Sequence, residues 1–202
     1  MLRPANRVLG AGADALVCGP GLGTDAAAAE LLERAIDEAV PLVLDADALT
    51  LISLRPDLAA GVFARRAPTL ATPHPAEAGR VLRKSVAEVQ ADRIAAALAI
   101  AEMLRASVVL KGAGSVLAYP DGQWDVNATG NPGLSTAGTG DVLAGFVGAF
   151  LAQRIDPVMS LRLAVCLHGA AADSCVASRR GPVGLTAGEL APVARELINA
   201  SR

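Results

Sequence analysis

Asp141 stands where glycines and small hydroxyl residues run into an apolar segment, in "NATGNPGLSTAGTGDVLAGFVGAF" (residues 127–150). Gly138, Thr139 and Gly140 come just before it. A helix starting there offers unpaired amides and about half a positive charge at its N-terminus, which together make an anion hole. An acid in that place has two roles open to it. It caps the helix, or it takes the proton of a substrate hydroxyl as that oxygen attacks a phosphoryl group held by the same amides. The glycines favour the second role, because capping needs none of them and close approach of backbone to a phosphate does.

Four further groups offer related chemistry. "GPGLGTD" (19–25) carries Gly21 and Gly23, which either bring backbone amides close to a phosphate or sugar or simply turn the chain. "VLDADAL" (43–49) sets Asp45 and Asp47 at a strand end, as Mg²⁺ ligands direct or through water, or with Asp47 as the cap of the next helix. In "TPHPAE" (72–77), two prolines stiffen a loop and hold His74 and Glu77 three residues apart in an exposed, binding-competent position. "VVLKGAGS" (108–115) ends a β-branched strand on Lys111, and Gly112, Ala113, Gly114 and Ser115 then form a turn able to wrap an anion. Lys84, in "LRKS", reads as solvated.

These groups must be held by the elements between them. Short apolar runs that stop at Gly, Pro or Asp predict strands in "ALVCG" (15–19), "PLVLDA" (41–46), "PTLATP" (68–73), "SVVLKG" (107–112) and "SVLAYP" (115–120). Helical segments cover 24–39, capped by Thr24, and 85–106, capped by Ser85 with Glu88 completing a capping box. Two more, 141–153 and 157–179, are nearly apolar all round and are expected to be buried. Strands alternating with helices predict an α/β protein with a mostly parallel sheet, whose ligands sit beyond the carboxyl ends of the strands. The polar candidates fall at those ends.

The whole chain narrows the options further. With 202 residues and 52% hydrophobic content, one globular domain is the default. The net charge is −2 and no basic block exceeds a pair such as Arg65–Arg66, which argues against nucleic acid or an anionic membrane as partner. The longest uncharged apolar run, 142–152, falls well short of the about 18 residues of a membrane span, and the N-terminus is a poor secretion signal. Cys18, Cys166 and Cys175 lie in apolar stretches without metal-ligand spacing, and read as buried thiols in a reducing cytoplasm.

Taken in order, "GPGLG", "VLDADAL", "TPHPAE", "VLKGAGS", "GNPGLSTAGTGDVLAG", "LHGAAAD" and "GLTAGEL" resemble the ADP/ATP-dependent NAD(P)H-hydrate dehydratases, a branch of the ribokinase-like superfamily. The resemblance runs from about residue 14 to the C-terminus. It implies a three-layer αβα sandwich with a mostly parallel central sheet. It also implies repair of the S-form of NADH hydrate and NADPH hydrate, with ADP or ATP as phosphoryl donor, Mg²⁺ screening the phosphates, and phosphate as the expelled group. By this likeness Asp141 meets the substrate hydroxyl, and Gly21, Gly23 and His74 contact the hydrated dinucleotide. Lys111, Gly112, Ala113, Gly114, Ser115, Asn131, Thr139 and Gly140 bind the nucleotide, while Glu77 serves Mg²⁺, joined by Asp45 on the strength of its strand-end position.

Ala76, Ser115 and Ala137 depart from the usual family residues, and all three remain small. Members of the family normally begin with further strand and helix units, including a Gly-rich strand near the middle of the sheet, that have no counterpart here. The expectation is therefore a single ribokinase-like domain over 1–202 lacking those units, with exposed apolar edges that favour a homo-oligomer. Two alternatives share the motifs: a small-molecule kinase acting on a vitamin precursor, and a nucleotide-binding remnant without activity.

Overall fold

The computed structural model describes residues 9, 10 and 12–200. Residues 1–8 and 11 of the segment judged a poor secretion signal therefore lie outside the described residues. The element order is β1 (Leu16–Cys18), α1 (Ala26–Asp37), β2 (Leu42–Leu44), α2 (Ala46–Leu54), α3 (Pro56–Ala64), β3 (Thr69–Ala71), α4 (Pro75–Leu82), α5 (Val86–Ala91), α6 (Arg93–Leu104), β4 (Ser107–Leu110), β5 (Val116–Ala118), β6 (Trp124–Val126), α7 (Thr139–Ala152), α8 (Pro157–Ala177) and α9 (Ala187–Ala200).

The six strands form one sheet in chain order, β1 to β4 parallel and β4, β5, β6 antiparallel. Side chains alternate across it, as the two-residue period of a strand requires. Leu42 and Leu44 join the core under α1 to α6, while their neighbour Val43 joins Leu70, Val109 and Leu117 in the core under α7 and α8. Both faces are thus covered, and β2 reads as an unbroken buried apolar run for that reason. The result is the expected three-layer αβα sandwich. A smaller core, with Cys175, Leu185 and Leu190, fixes α9 against α8.

Helix α7 comes close enough to the sheet that a Cβ on Gly148 would lie 2.5 Å from Val17 Cγ2. That contact sets the height of the helix and brings its N-terminus over the carboxyl ends of β2 and β4.

Several expectations are corrected by the structure. Asp25, not Thr24, caps α1, its carboxylate accepting from the Ala28 amide at 2.8 Å; Asp25 is the residue adjoining the first turn. The single helix expected over 85–106 is two, because Asp92 leaves helical geometry and caps α6 by accepting from the Ala95 amide at 2.9 Å. Ser85 and Glu88 do form the capping box. The loop expected at "TPHPAE" is the start of α4, with Pro75 at the first helical position, where its missing amide costs nothing. Helices α7 and α8 are not buried all round, since an outer-layer helix has only one face on the sheet: Asp141, Gly145, Ala149 and Ala152 are exposed on α7, and Met159, Leu163 and Cys166 on α8. Of the three thiols only Cys175 is fully buried, with Cys18 partly so.

Candidate active site

A cavity of about 540 Å³ opens between the β4–β5 turn, the loop leading into α7, and the facing sides of α7 and α8. Lys111 to Ser115 form one wall, and Asn131, Thr139 and Gly140 form the other. All eight residues expected to bind a nucleotide therefore share one space. Volume and lining suit a ligand of nucleotide size, since small-molecule sites run from about 300 to 1,000 Å³.

Local chemistry holds each wall in place. The Lys111 amide donates to Pro73 O at 2.8 Å, and Ser115 Oγ closes the turn through Gly112 O at 3.1 Å. Opposite, Asn131 Oδ1 accepts from the Gly133 amide at 3.0 Å, while Asp173 on α8 accepts from the Gly130 amide at 2.8 Å and from Asn131 Nδ2 at 2.9 Å. Thr139 Oγ1 donates to Leu134 O at 2.7 Å, and His168 Nε2 donates to Thr139 O at 2.8 Å. Burial holds the His168 imidazole below its ordinary pKa, so the neutral ring is the favoured form.

At the inner end of the cavity sits a charged group. Lys111 Nζ donates to Asp45 Oδ1 at 2.8 Å and lies 3.9 Å from Glu77 Oε2. A Cβ on Gly140 would lie 3.2 Å from the same Nζ and 4.0 Å from Asp45 Oδ2, so the ion pair rests directly against the first turn of α7. Asp45 is 1% exposed. Burial raises its carboxyl pKa, and Lys111 offsets part of the rise. For Glu77 burial also pushes upward, but the His74 hydrogen bond and the Lys111 charge outweigh it and leave the carboxyl below the ordinary glutamate value.

His74 is the N-cap of α4. Its Nδ1 accepts from the Ala76 amide at 3.1 Å, its own amide donates to Glu77 Oε2 at 2.8 Å, and its Nε2 meets Glu77 Oε1 at 3.1 Å. The ring stays half-exposed, so capping and contact with a ligand are compatible. Glu77 and Asp45 supply two carboxylates on either side of Lys111, and among the described residues no group of three metal-ligating side chains forms a closed cage. Two carboxylates fit an ion such as Mg²⁺ that brings waters and phosphate oxygens with it.

Asp141 is exposed in the first turn of α7, one residue beyond the cavity wall. Gly138 is the N-cap of that helix and no side-chain bond caps it, so the capping role considered for Asp141 is not the one it plays. Asp47 does not cap α2 either: Asp45 holds the N-cap position, without a side-chain bond, and Asp47 accepts from the Gly23 amide at 2.8 Å. This bond ties the Gly19–Gly23 loop to the first turn of α2. Gly21, Gly23, Asp45, His74, Glu77 and Asp141 lie outside the cavity lining, Asp45 and Glu77 meeting it through Lys111.

Sequence reasoning missed His168, Asp173 and Arg93, which support the walls from α8 and α6. The first two lie in "LHGAAAD", where a five-residue spacing across an Ala-rich helix was the available signal.

A family model described as NAD(P)H-hydrate dehydratase matches residues 5–193. The ADP-dependent (S)-NAD(P)H-hydrate dehydratase of Neisseria meningitidis serogroup B is 47% identical over 189 residues, covering 92% of this chain and 63% of the relative. Among solved structures, the ADP/ATP-dependent NAD(P)H-hydrate dehydratase of Bacillus subtilis, co-crystallised with ATP and Mg²⁺, superposes with a TM-score of 0.84 at 32% identity. That match covers 94% of this chain and 65% of the other. A ribokinase-like superfamily protein from Enterococcus faecalis V583 gives a TM-score of 0.76 at 29% identity, over 96% of this chain and 66% of that one. The chain thus spans just under two thirds of the Neisseria relative's length. The match of sequence and fold across nearly all of these residues places the chain in the NAD(P)H-hydrate dehydratase family.

Proposed function

We propose that this protein dehydrates the S-form of NADH hydrate and NADPH hydrate, with ADP or ATP as phosphoryl donor. The observation that carries the reading is the cavity walled by Lys111–Ser115 and Asn131, which ends at the N-terminus of α7 with Asp141 one residue past its wall. A nucleotide lying there directs its terminal phosphate at the α7 amides and Lys111 Nζ, groups that stabilise charge developing on a transferring phosphoryl. Glu77 and Asp45 would hold Mg²⁺, which screens the phosphate charge when bound.

Hydrated nicotinamide has a hydroxyl that is a poor leaving group. In the proposed sequence Asp141 accepts the hydroxyl proton as the oxygen attacks the terminal phosphorus, and the bond from that phosphorus to the bridging oxygen breaks, releasing the shortened nucleotide. The ring nitrogen's lone pair then expels phosphate, which leaves with the C–O electron pair. Loss of a proton from the adjacent carbon restores the ring double bond. His74, Gly21 and Gly23, which lie outside the cavity lining, are assigned to the dinucleotide.

Product analysis tests the reading. Incubation with NADH hydrate, ADP and Mg²⁺ is expected to restore the reduced-nicotinamide absorbance with one free phosphate per cofactor. A stable phosphorylated substrate in place of free phosphate would instead assign a small-molecule kinase.

A further inference from the structure

We propose that Arg93 is a positioning residue for the nucleotide, setting the backbone of the Lys111–Ser115 turn so that the turn receives phosphate. The inference rests on the reading of the cavity as a nucleotide site. Arg93 opens α6 and is not part of the cavity lining. It reaches the turn from behind. Its Nη1 donates to Ala113 O at 2.5 Å and its Nη2 donates to Leu110 O at 3.1 Å. These two carbonyls bracket Lys111 and Gly112, so one planar guanidinium fixes the chain on both sides of the lysine.

Gly112 shows the same fit from the other partner. Its φ is +148°, and a Cβ there would lie 2.8 Å from Arg93 Nη2, so the guanidinium fills the place a side chain would take. Arg93 Nε is buried and has no hydrogen-bond partner. Burying it unpaired costs stability, which argues that the arginine is placed for the geometry of the turn rather than for the core.

The electrostatic consequence follows from the directions of the carbonyls. Drawn toward the guanidinium, the oxygens of Leu110 and Ala113 are withheld from the cavity, where they would repel a phosphate. Lys111 Nζ is left as the group the turn presents at the α7 end. Without Arg93 the turn relaxes, those oxygens become free to face the ligand, and Lys111 loses its fixed base.

Calorimetric titration with ADP and Mg²⁺, alongside steady-state kinetics, tests this on the full chain. Arg93→Met keeps the apolar stem and removes the fork. It is expected to raise the ADP Kd and KM about tenfold, with kcat at saturating ADP and KM for NADH hydrate close to wild type. Arg93→Lys should recover only part of the loss, because an ammonium cannot hold both carbonyls. Gly112→Ala, which pushes on the guanidinium from the turn, should reproduce the ADP defect. A merely structural arginine would lower Tm and leave the ADP KM unchanged. Wild-type ADP affinity in folded Arg93→Met overturns the proposal; if that variant does not fold, wild-type affinity in Gly112→Ala does so. A wild-type protein that binds no ADP overturns the reading of the cavity, and this inference with it.

Discussion

The two sides of Asp141 are built differently. On the cavity side, β4, β5, the 127–138 loop, α7 and α8 close around a space whose walls are cross-braced by Asp173, His168, Thr139 and Arg93. Outside the cavity lining, Gly21 and Gly23 follow β1, which pairs with a single strand among the described residues, and His74 is half-exposed. A nucleotide of constant shape suits the braced side. Under the proposed function the more open part takes the bulkier dinucleotide, and Asp141, one residue past the cavity wall, serves the proton transfer that joins the two.

The largest effect expected from this division falls at the boundary. Asp141→Asn should cut turnover by about 10²–10⁴, read as the initial rate of NADH recovery, without lowering Tm. Next comes the ion pair at the cavity's inner end. Lys111→Met leaves Asp45 buried without its partner and should destabilise the fold by about 3 kcal/mol at neutral pH. In urea unfolding this deficit should shrink as pH falls and Asp45 takes up a proton, and adding Asp45→Asn should recover much of it.

His168 sharpens the contrast through pH. Burial keeps its folded pKa below the unfolded value, so the unfolded chain protonates first as the solution is acidified. Its contribution is complete above about pH 6.5 and is lost as pH drops below that. The urea midpoint of the wild type should therefore fall more between pH 7.5 and 5.5 than that of His168→Gln. The smallest effect belongs to the open side: Asp47→Ala, which frees the exposed Gly23 amide to bond water, should cost about 0.5–1 kcal/mol.

The same division governs what the sequence reveals. Strands β1 to β5 are legible because each is a short apolar run punctuated by Gly, Pro or Asp. The cavity wall is legible because Lys111–Ser115 and the Thr139–Gly140 pair keep their chemistry within a few adjacent residues. The braces are not, because the contacts of His168 with Thr139 and of Arg93 with Ala113 span 29 and 20 residues. Helix α3 was missed, and α2 entered only as the helix that Asp47 would cap, because 46–64 carries weak amphipathic patterning and the inward faces are set by the sheet. Strand β6 was missed because Trp124 and Val126 are exposed at the edge, so its pattern lacks an apolar run. The start of α4 could have been read from Pro75 following a capping side chain, which is a helix-start signal.

The most direct test of a complete donor side with Asp141 outside it is calorimetry with ADP and Mg²⁺ on the wild type and on Asp141→Asn. The account predicts one nucleotide per chain in both, with Kd values agreeing within about threefold, although turnover has collapsed in the variant. Loss of ADP binding in Asp141→Asn, or no binding in either protein, would contradict it.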